Sequence, residues 1–152
     1  MRSWRLCKEI RAATAFTGDG ARIFGGRWNE PGTPMVYTAE NRALAALEQL
    51  VHLHQNELPP RFVCFAVDIP DDLTMSRIRP EELDRGWRSY PGPPALQRIG
   101  SRWVEEGRTA ALIVPSVVVP GEHNILLNPA HRDFSRLVIT GPERFELDHR
   151  LF

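Results

Sequence analysis

Two runs of almost unbroken apolar residues predict buried strands. In residues 61–69 both alternating sets of side chains are nearly all apolar, which is typical of a central strand covered on both faces. Pro70 ends this run. Residues 110–114 form the second run, and residues 117–119 could resume it beyond Pro115. The pattern therefore predicts a sheet whose central part is closed off from water.

Helical spacing of apolar residues marks two further stretches. Thr38 can cap a helix that ends before Leu58-Pro59-Pro60. The apolar positions of this helix, which recur at roughly helical spacing, are Ala43, Leu44, Leu47, Leu50 and Val51. A second helix is predicted over residues 94–104, with a proline in its first turn and Gly107 as its C-cap.

Shorter patterns complete the predicted fold. Short strands are expected at residues 4–6, 35–37, 137–140 and 145–147, turns at 121–124 and 128–131, and mostly loop at 12–26 and 71–94. The first of these loops could form a wall or lid of a site, or be a mobile excursion. Only two helices are convincing, and the late strands lie close in sequence, which favours antiparallel pairing. We therefore predict an α+β fold with a mixed or antiparallel sheet and few helices.

Length and charge narrow the class of protein. A chain of 152 residues is the usual size of one domain, so residues 1–152 are expected to form a single domain. Nineteen basic and nineteen acidic residues cancel. No global field then attracts nucleic acid or an anionic membrane, and we expect no direct nucleic-acid binding.

The apolar segments and cysteines indicate a cytoplasmic protein. Cys7 and Cys64 show no metal-binding or redox spacing and are interpreted as reduced thiols. No apolar segment of a secretory signal follows Met1. The longest apolar run, residues 110–119, is broken by Pro115 and is too short to cross a bilayer. We therefore expect cytoplasmic localisation and no membrane association.

The stretch from Gly25 to His52 holds the most suggestive set of polar side chains. Gly25-Gly26 lets a ligand approach the main chain, and the guanidinium of Arg27 suits phosphate. Tyr37 could stack on a flat heterocycle, and Glu48, at the edge of the apolar stripe, could stabilise positive charge on a sugar carbon. The alternative is a turn with a surface arginine and a solvated glutamate.

Other motifs are less informative. His52 and His54 point to different faces of a helix, and no further ligands complete a metal site, so none is expected. Ser116 follows Pro115 at a strand end, where it could face a cleft or form a turn. Asn124 and Asn128 carry the same ambiguity. No phosphate-binding loop or dinucleotide fingerprint opens a helix.

Taken together, these residues resemble the RES-domain family, the toxins of bacterial toxin–antitoxin pairs, named for an arginine, a glutamate and a serine. Any one matching stretch is weak, but their combination in this order is specific and covers essentially the whole chain. The stretches are Gly25-Gly26-Arg27-Trp28-Asn29, Val36-Tyr37-Thr38-Ala39, Ala45-Ala46-Leu47-Glu48 with His52, Val114-Pro115-Ser116, and Asn128-Pro129-Ala130-His131 followed by Asp133-Phe134.

The resemblance implies a fold similar to ADP-ribosyltransferase toxins and NAD as substrate. By motif, Arg27 would hold the pyrophosphate or the nicotinamide ribose, and Tyr37 would stack near the nicotinamide. Glu48 would be the catalytic carboxylate, and Ser116 would orient the ribose or Glu48. The NAD-binding set implied by the matching motifs is Arg27, Trp28, Asn29, Tyr37, Ser116 and Asn128.

The resemblance also implies growth arrest through NAD degradation, and a partner. The bond between nicotinamide and ribose would be cleaved by hydrolysis or phosphorolysis. An Xre-like helix-turn-helix antitoxin would cover the cleft in a hetero-oligomer. The alternatives are an ADP-ribosyltransferase that modifies a cellular protein, and a binding module that keeps the fold without turnover.

Overall fold

A single seven-stranded sheet organises the structure, a computed structural model that describes residues 1–54 and 58–152. Its strands are β1 (Arg2–Lys8), β2 (Val36–Ala39), β3 (Phe62–Asp68), β4 (Ser76–Arg77), β5 (Ala111–Pro115), β6 (His123–Leu127) and β7 (Val138–Phe145). Their order is β4-β5-β6-β2-β1-β3-β7. Only β4 and β5 pair in parallel. The predicted α+β class with a mixed sheet is confirmed.

Helices flank this sheet. The α-helices are α1 (Asp19–Phe24), α2 (Arg42–Leu50) and α3 (Pro94–Glu106), and short 3₁₀ helices cover Glu9–Thr14, Pro80–Glu82, Arg132–Arg136 and His149–Leu151. The two predicted long helices are confirmed as α2 and α3. Gly107 ends α3 with a φ of 58°, a left-handed conformation that glycine adopts without steric cost.

Several sequence-based boundaries are corrected. Residues 12–26 are not mainly loop, because part of a 3₁₀ helix and all of α1 lie there. Thr38 is not the cap of α2. It lies in β2, where its hydroxyl donates to the Ile125 carbonyl at 2.7 Å. Asn41 is the cap instead, and its side chain accepts a hydrogen bond from the Leu44 amide at 2.8 Å.

The C-terminal half departs most from expectation. The predicted turn at 121–124 overlaps β6, a strand near the middle of the sheet. Residues 117–119 do not resume β5, because the chain turns at Ser116. The two closing strands predicted at 137–140 and 145–147 are largely one edge strand, β7. It accommodates an internal proline because its register with β3 shifts between Cys64 and Ala66, the part of β3 that faces Gly141 and Pro142.

Both long helices pack on one face of the sheet, which we call the helix face. Leu44 of α2 is fully buried in a cluster with Ala39 of β2. Leu96 of α3 packs in a second cluster with Leu126 of β6. Tyr37 pairs directly with Leu126 and lies two residues before Ala39, so both clusters occupy the same face. Both helices therefore lie on the same side of β2 and β6.

The buried stripe of α2 differs from the one that the sequence predicted. Leu44, Ala45 and Ala46 are buried, whereas Leu47 and Val51 are 39% and 58% exposed. Cys7 and Cys64 are buried, unlinked thiols. In the described part of the chain, no helix combines the length and apolar character needed to cross a membrane.

Candidate functional site

The strand register brings the central polar residues onto the helix face. Asn124 of β6 pairs with Ala39 of β2 on one side and with Val114 of β5 on the other. Paired residues share a face, so Asn124 lies on the helix face, and Ser116, two residues beyond Val114, follows on the same side. The end of β5 therefore faces the side of α2 that carries Glu48.

Ser116 and Glu48 form the centre of this site. The Ser116 Oγ lies 3.3 Å from Glu48 Oε1. The backbone N–H groups of Val118 and Val119 each donate to the same Oγ at 3.1 Å. Because these donors occupy the acceptor positions of the hydroxyl, its own proton is directed at the carboxylate. Ser116, 1% exposed, is thus a fixed donor to Glu48.

The environment of Glu48 sets its charge. Burial raises the pKa of this half-buried carboxyl, because the ionised form loses water. The polar side chains of Asn124 and Ser116, followed by electrostatic interactions with His52 and Arg27, offset part of the increase in pKa. A carboxylate with little water and several directed donors is a strong electrostatic partner for a cation.

Arg27 extends from the loop between α1 and β2. Its Nη1 donates to the carbonyls of Trp87 and Ser89, both at 3.1 Å. Within residues 1–54 and 58–152, Nε and Nη2 make no protein hydrogen bond, so the edge that binds an anion in two-point fashion is available. Burial lowers the pKa of Arg27, and the charge of Glu48 opposes that shift, so the two groups are close enough to interact.

Tyr37 lies beside Arg27 with its hydroxyl already engaged. The hydroxyl donates to Asn29 Oδ1 at 2.7 Å and accepts from the Trp28 amide at 3.1 Å. Burial raises the pKa of Tyr37 strongly, so the phenol stays neutral. The ring is half-buried. Its stacking against nicotinamide remains a prediction.

Trp28 and Asn29 shape the loop that presents Arg27. Asn29 is fully buried, and its side-chain amide donates to the carbonyls of Ala21 and Thr33 at 2.8 and 3.0 Å. Trp28 is 2% exposed and packs in the cluster beneath α3. The structure therefore places neither side chain on a surface open to a ligand.

Asn128 lies apart from this group. It follows the last residue of β6, whereas Asn124 lies near the start of that strand. Asn128 is 1% exposed, and its side-chain amide donates to the Val104 carbonyl of α3 at 3.3 Å. Its Oδ1 accepts from the Ala130 amide at 3.0 Å. These contacts give Asn128 the geometry of a turn-forming residue, so the structure joins Arg27, Tyr37, Glu48 and Ser116 but not Asn128.

Sequence reasoning left one residue near the site ambiguous and missed another that builds it. Asn124, which could face a cleft or form a turn, lies in β6, where its Nδ2 donates to the Thr38 carbonyl at 3.4 Å and its side chain helps to lower the pKa of Glu48. Gly100 of α3 packs against the backbone of Trp28, where a β-carbon would lie 1.7 Å from the carbonyl oxygen. A glycine inside a predicted helix is the signal that could have indicated such a close approach.

No cluster of metal ligands lies among the described residues. The structure brings together no group of three or more His, Cys, Asp or Glu side chains suited to a metal ion there.

Comparison with known proteins identifies the family. The family model described as the RES domain matches residues 2–148. The "Prs ADP-ribosylating toxin" of Sphingobium sp. is 43% identical over 134 residues, covering 86% of this chain and 83% of the relative. The "Toxin Res" of Yersinia enterocolitica is 38% identical and covers 99% of both chains.

A solved structure supports the fold. The chain is similar to one in the crystal structure of the M. tuberculosis MbcT–MbcA toxin–antitoxin complex, with a TM-score of 0.74 over 95% of this chain and 83% of that one. The two sequences are 19% identical, so this likeness concerns the fold alone. From the family model and the curated relatives, the chain belongs to the RES domain family.

Proposed function

We propose that this protein is the toxin of a toxin–antitoxin pair and that it cleaves NAD between nicotinamide and ribose. The observation that carries the proposal is the Ser116 hydroxyl directed at the half-buried Glu48 carboxylate, with Arg27 close enough to interact with Glu48. The names of the curated relatives, "Toxin Res" and "Prs ADP-ribosylating toxin", support the class of activity.

The chemistry follows from the charge that the reaction creates. When the bond from the ribose carbon to the nicotinamide nitrogen breaks, its electron pair leaves with nicotinamide and positive charge develops on the ribose. The Glu48 carboxylate becomes more favourable as that charge appears, which stabilises the transition state more than the ground state. The fixed Ser116 hydroxyl keeps the carboxylate in one orientation, so little reorganisation is needed.

Arg27 is suited to the anionic part of the substrate. Its free Nε–Nη2 edge can bind the pyrophosphate at two points while Nη1 stays fixed on the Trp87 and Ser89 carbonyls. Arg27→Lys should therefore raise the KM for NAD, because an ammonium group cannot hold both carbonyls and a phosphate in the same geometry. An unchanged KM for this variant would show that Arg27 does not hold the substrate.

The group that captures the ADP-ribosyl fragment defines the second candidate function. Water would make the protein an NAD glycohydrolase, phosphate an NAD phosphorylase, and a protein side chain an ADP-ribosyltransferase. The name of the Sphingobium relative, which is 43% identical, favours transfer as the alternative to NAD breakdown.

Purified protein incubated with NAD separates these reactions. Nicotinamide release that requires phosphate indicates phosphorolysis, and release in its absence indicates hydrolysis. Intact-mass spectrometry of cell proteins after expression detects ADP-ribosyl adducts, which only transfer leaves behind. A wild-type protein that neither releases nicotinamide nor leaves adducts would contradict the proposal and favour a binding module without turnover.

We also propose that an Xre-like antitoxin covers the site of Arg27 and Glu48, and that the complex lies in the cytoplasm. Apolar side chains are exposed near the catalytic residues in sequence: Phe24, three residues before Arg27, is 76% exposed, and Val51, one helical turn after Glu48, is 58% exposed. Phe24→Asp should weaken co-purification with the antitoxin encoded beside the toxin gene. Co-purification unchanged by this substitution would place the antitoxin elsewhere.

A further inference from the structure

Residues 86–92, which we call the strap, cross between the two halves of the site. Nη1 of Arg27 donates to the strap carbonyls of Trp87 and Ser89. At the other side, Nη2 of Arg88 donates to the carbonyl of Val117 at 3.0 Å, immediately after Ser116. One short segment is thus tied both to the residue suited to phosphate and to the turn that positions Ser116.

The strap is fixed by packing as well as by these bonds. The Trp87 ring joins the cluster of Trp28, Leu96 and neighbouring core residues. A β-carbon on Gly92 would lie 3.0 Å from Arg27 Nη1, so this glycine lets the strap approach the guanidinium closely. The Ser89 amide closes a turn on the Gly86 carbonyl at 2.9 Å. The backbone on either side of Tyr90 is therefore held in place.

Tyr90 is the aromatic residue of the strap that the core does not use. It is 88% exposed, in contrast to Trp87, and its hydroxyl makes no hydrogen bond within the described part of the chain. It lies between Ser89, whose carbonyl accepts from Arg27 Nη1, and Gly92, which adjoins the same guanidinium. An exposed aromatic ring on a fixed backbone, beside an arginine with a free anion-binding edge, suits a ligand that joins phosphate to a flat heterocycle.

We propose that Tyr90 contacts the substrate by stacking on a heterocycle of the dinucleotide whose phosphates Arg27 holds. This inference rests on the proposed function and adds a specificity residue to it. Because the strap is tied to Arg27 and Val117, little backbone freedom is lost when the ring engages, which favours binding. A surface tyrosine that does not contact the ligand would contribute nothing to NAD affinity.

The test compares Tyr90→Ala and Tyr90→Phe with the wild type in both NAD turnover and NAD binding. Stacking of a base on an aromatic ring contributes about 1–3 kcal/mol, so Tyr90→Ala should raise KM and Kd roughly 5- to 150-fold. Tyr90→Phe should restore most of the affinity, since the ring carries the contact. The loss should appear mainly in KM, because stacking acts on ground state and transition state alike.

Ile10→Ala is the matched control, since Ile10 is 89% exposed on the 3₁₀ helix at Glu9–Thr14 and touches no part of the site. Binding is measured by calorimetry in the Glu48→Gln background, in which turnover is expected to be slow. If Tyr90→Ala binds NAD as tightly as its parent, the Tyr90 proposal fails even though the wild type releases nicotinamide. If the wild type neither releases nicotinamide nor leaves adducts, the proposed function fails, and the calorimetric comparison still decides whether Tyr90 contacts NAD.

Discussion

Gly100→Ala tests whether α3 holds the arginine loop in place. A β-carbon at this position would lie 1.7 Å from the Trp28 carbonyl oxygen, 2.8 Å from its carbonyl carbon and 3.2 Å from Met35 Cε. Real β-carbons do not approach other atoms within 3.0 Å, so α3 and Trp28 must separate by roughly 1 Å. The two nearest atoms belong to backbone, so no side-chain rotation can relieve the contact.

Gly100→Ala should lower both the stability of the fold and the activity. Overpacking of this kind costs about 1–3 kcal/mol, occasionally more. At about 2–4 °C per kcal/mol for a domain of this size, Tm should fall by roughly 2–12 °C. Trp28 adjoins Arg27, and a displacement of about 1 Å at a positioning group can reduce turnover about 10²-fold. We therefore expect lower Tm together with a large loss of nicotinamide release.

Gly20→Ala provides the control for the same chemical change. Gly20 lies in α1, and nothing lies within 4 Å of a β-carbon placed there. Alanine is favoured over glycine in a helix by about 0.5–1 kcal/mol, so this variant should be slightly more stable and fully active. Differential scanning fluorimetry and nicotinamide release measure both outcomes. A Gly100→Ala protein as stable and active as Gly20→Ala would refute the packing argument.

Two further substitutions probe the centre of the site. Ser116→Ala leaves the partly buried amides of Val118 and Val119 without their acceptor. Urea denaturation should therefore show a loss of about 1–3 kcal/mol in the free energy of unfolding, and turnover should fall because Glu48 loses its donor. Unchanged stability would contradict this. Glu48→Gln should make the fold more stable at neutral pH. Because burial raises the folded-state pKa of Glu48, its ionisation destabilises the fold as pH rises through and above the ordinary glutamate range. The difference in Tm between wild type and Glu48→Gln should therefore vanish below that range, and a constant difference would exclude this cause.

The fold was predictable where local patterns and burial agree. The nearly all apolar β3, the proline-started α3 and its Gly107 cap were evident from the sequence. β6 was not, because it begins with His123 and Asn124 and owes its place to pairing with β5 and β2 on either side. For α2 the apolar pattern predicted more burial than the structure shows. Leu47, which belongs to the predicted apolar stripe, is 39% exposed.

The residues of the site, like the elements of the fold, were only partly predictable from the sequence. Arg27, Tyr37, Glu48 and Ser116 were identified from short motifs, and the structure brings them together although their roles remain predictions. Contacts made by main-chain groups could not be predicted from the sequence. The carbonyls that fix Arg27 belong to a segment about sixty positions further along the chain, and carbonyls carry no sequence signature.

The rate of nicotinamide release by Glu48→Gln, with NAD affinity measured on the same preparation, tests the central claim most directly. Glutamine keeps the size of the side chain and one hydrogen-bond acceptor but lacks the charge that would stabilise the ribosyl cation. We predict a rate about 10²–10³-fold below wild type, with a similar Kd for NAD. Release by Glu48→Gln at a near-wild-type rate would show that Glu48 is not the catalytic carboxylate.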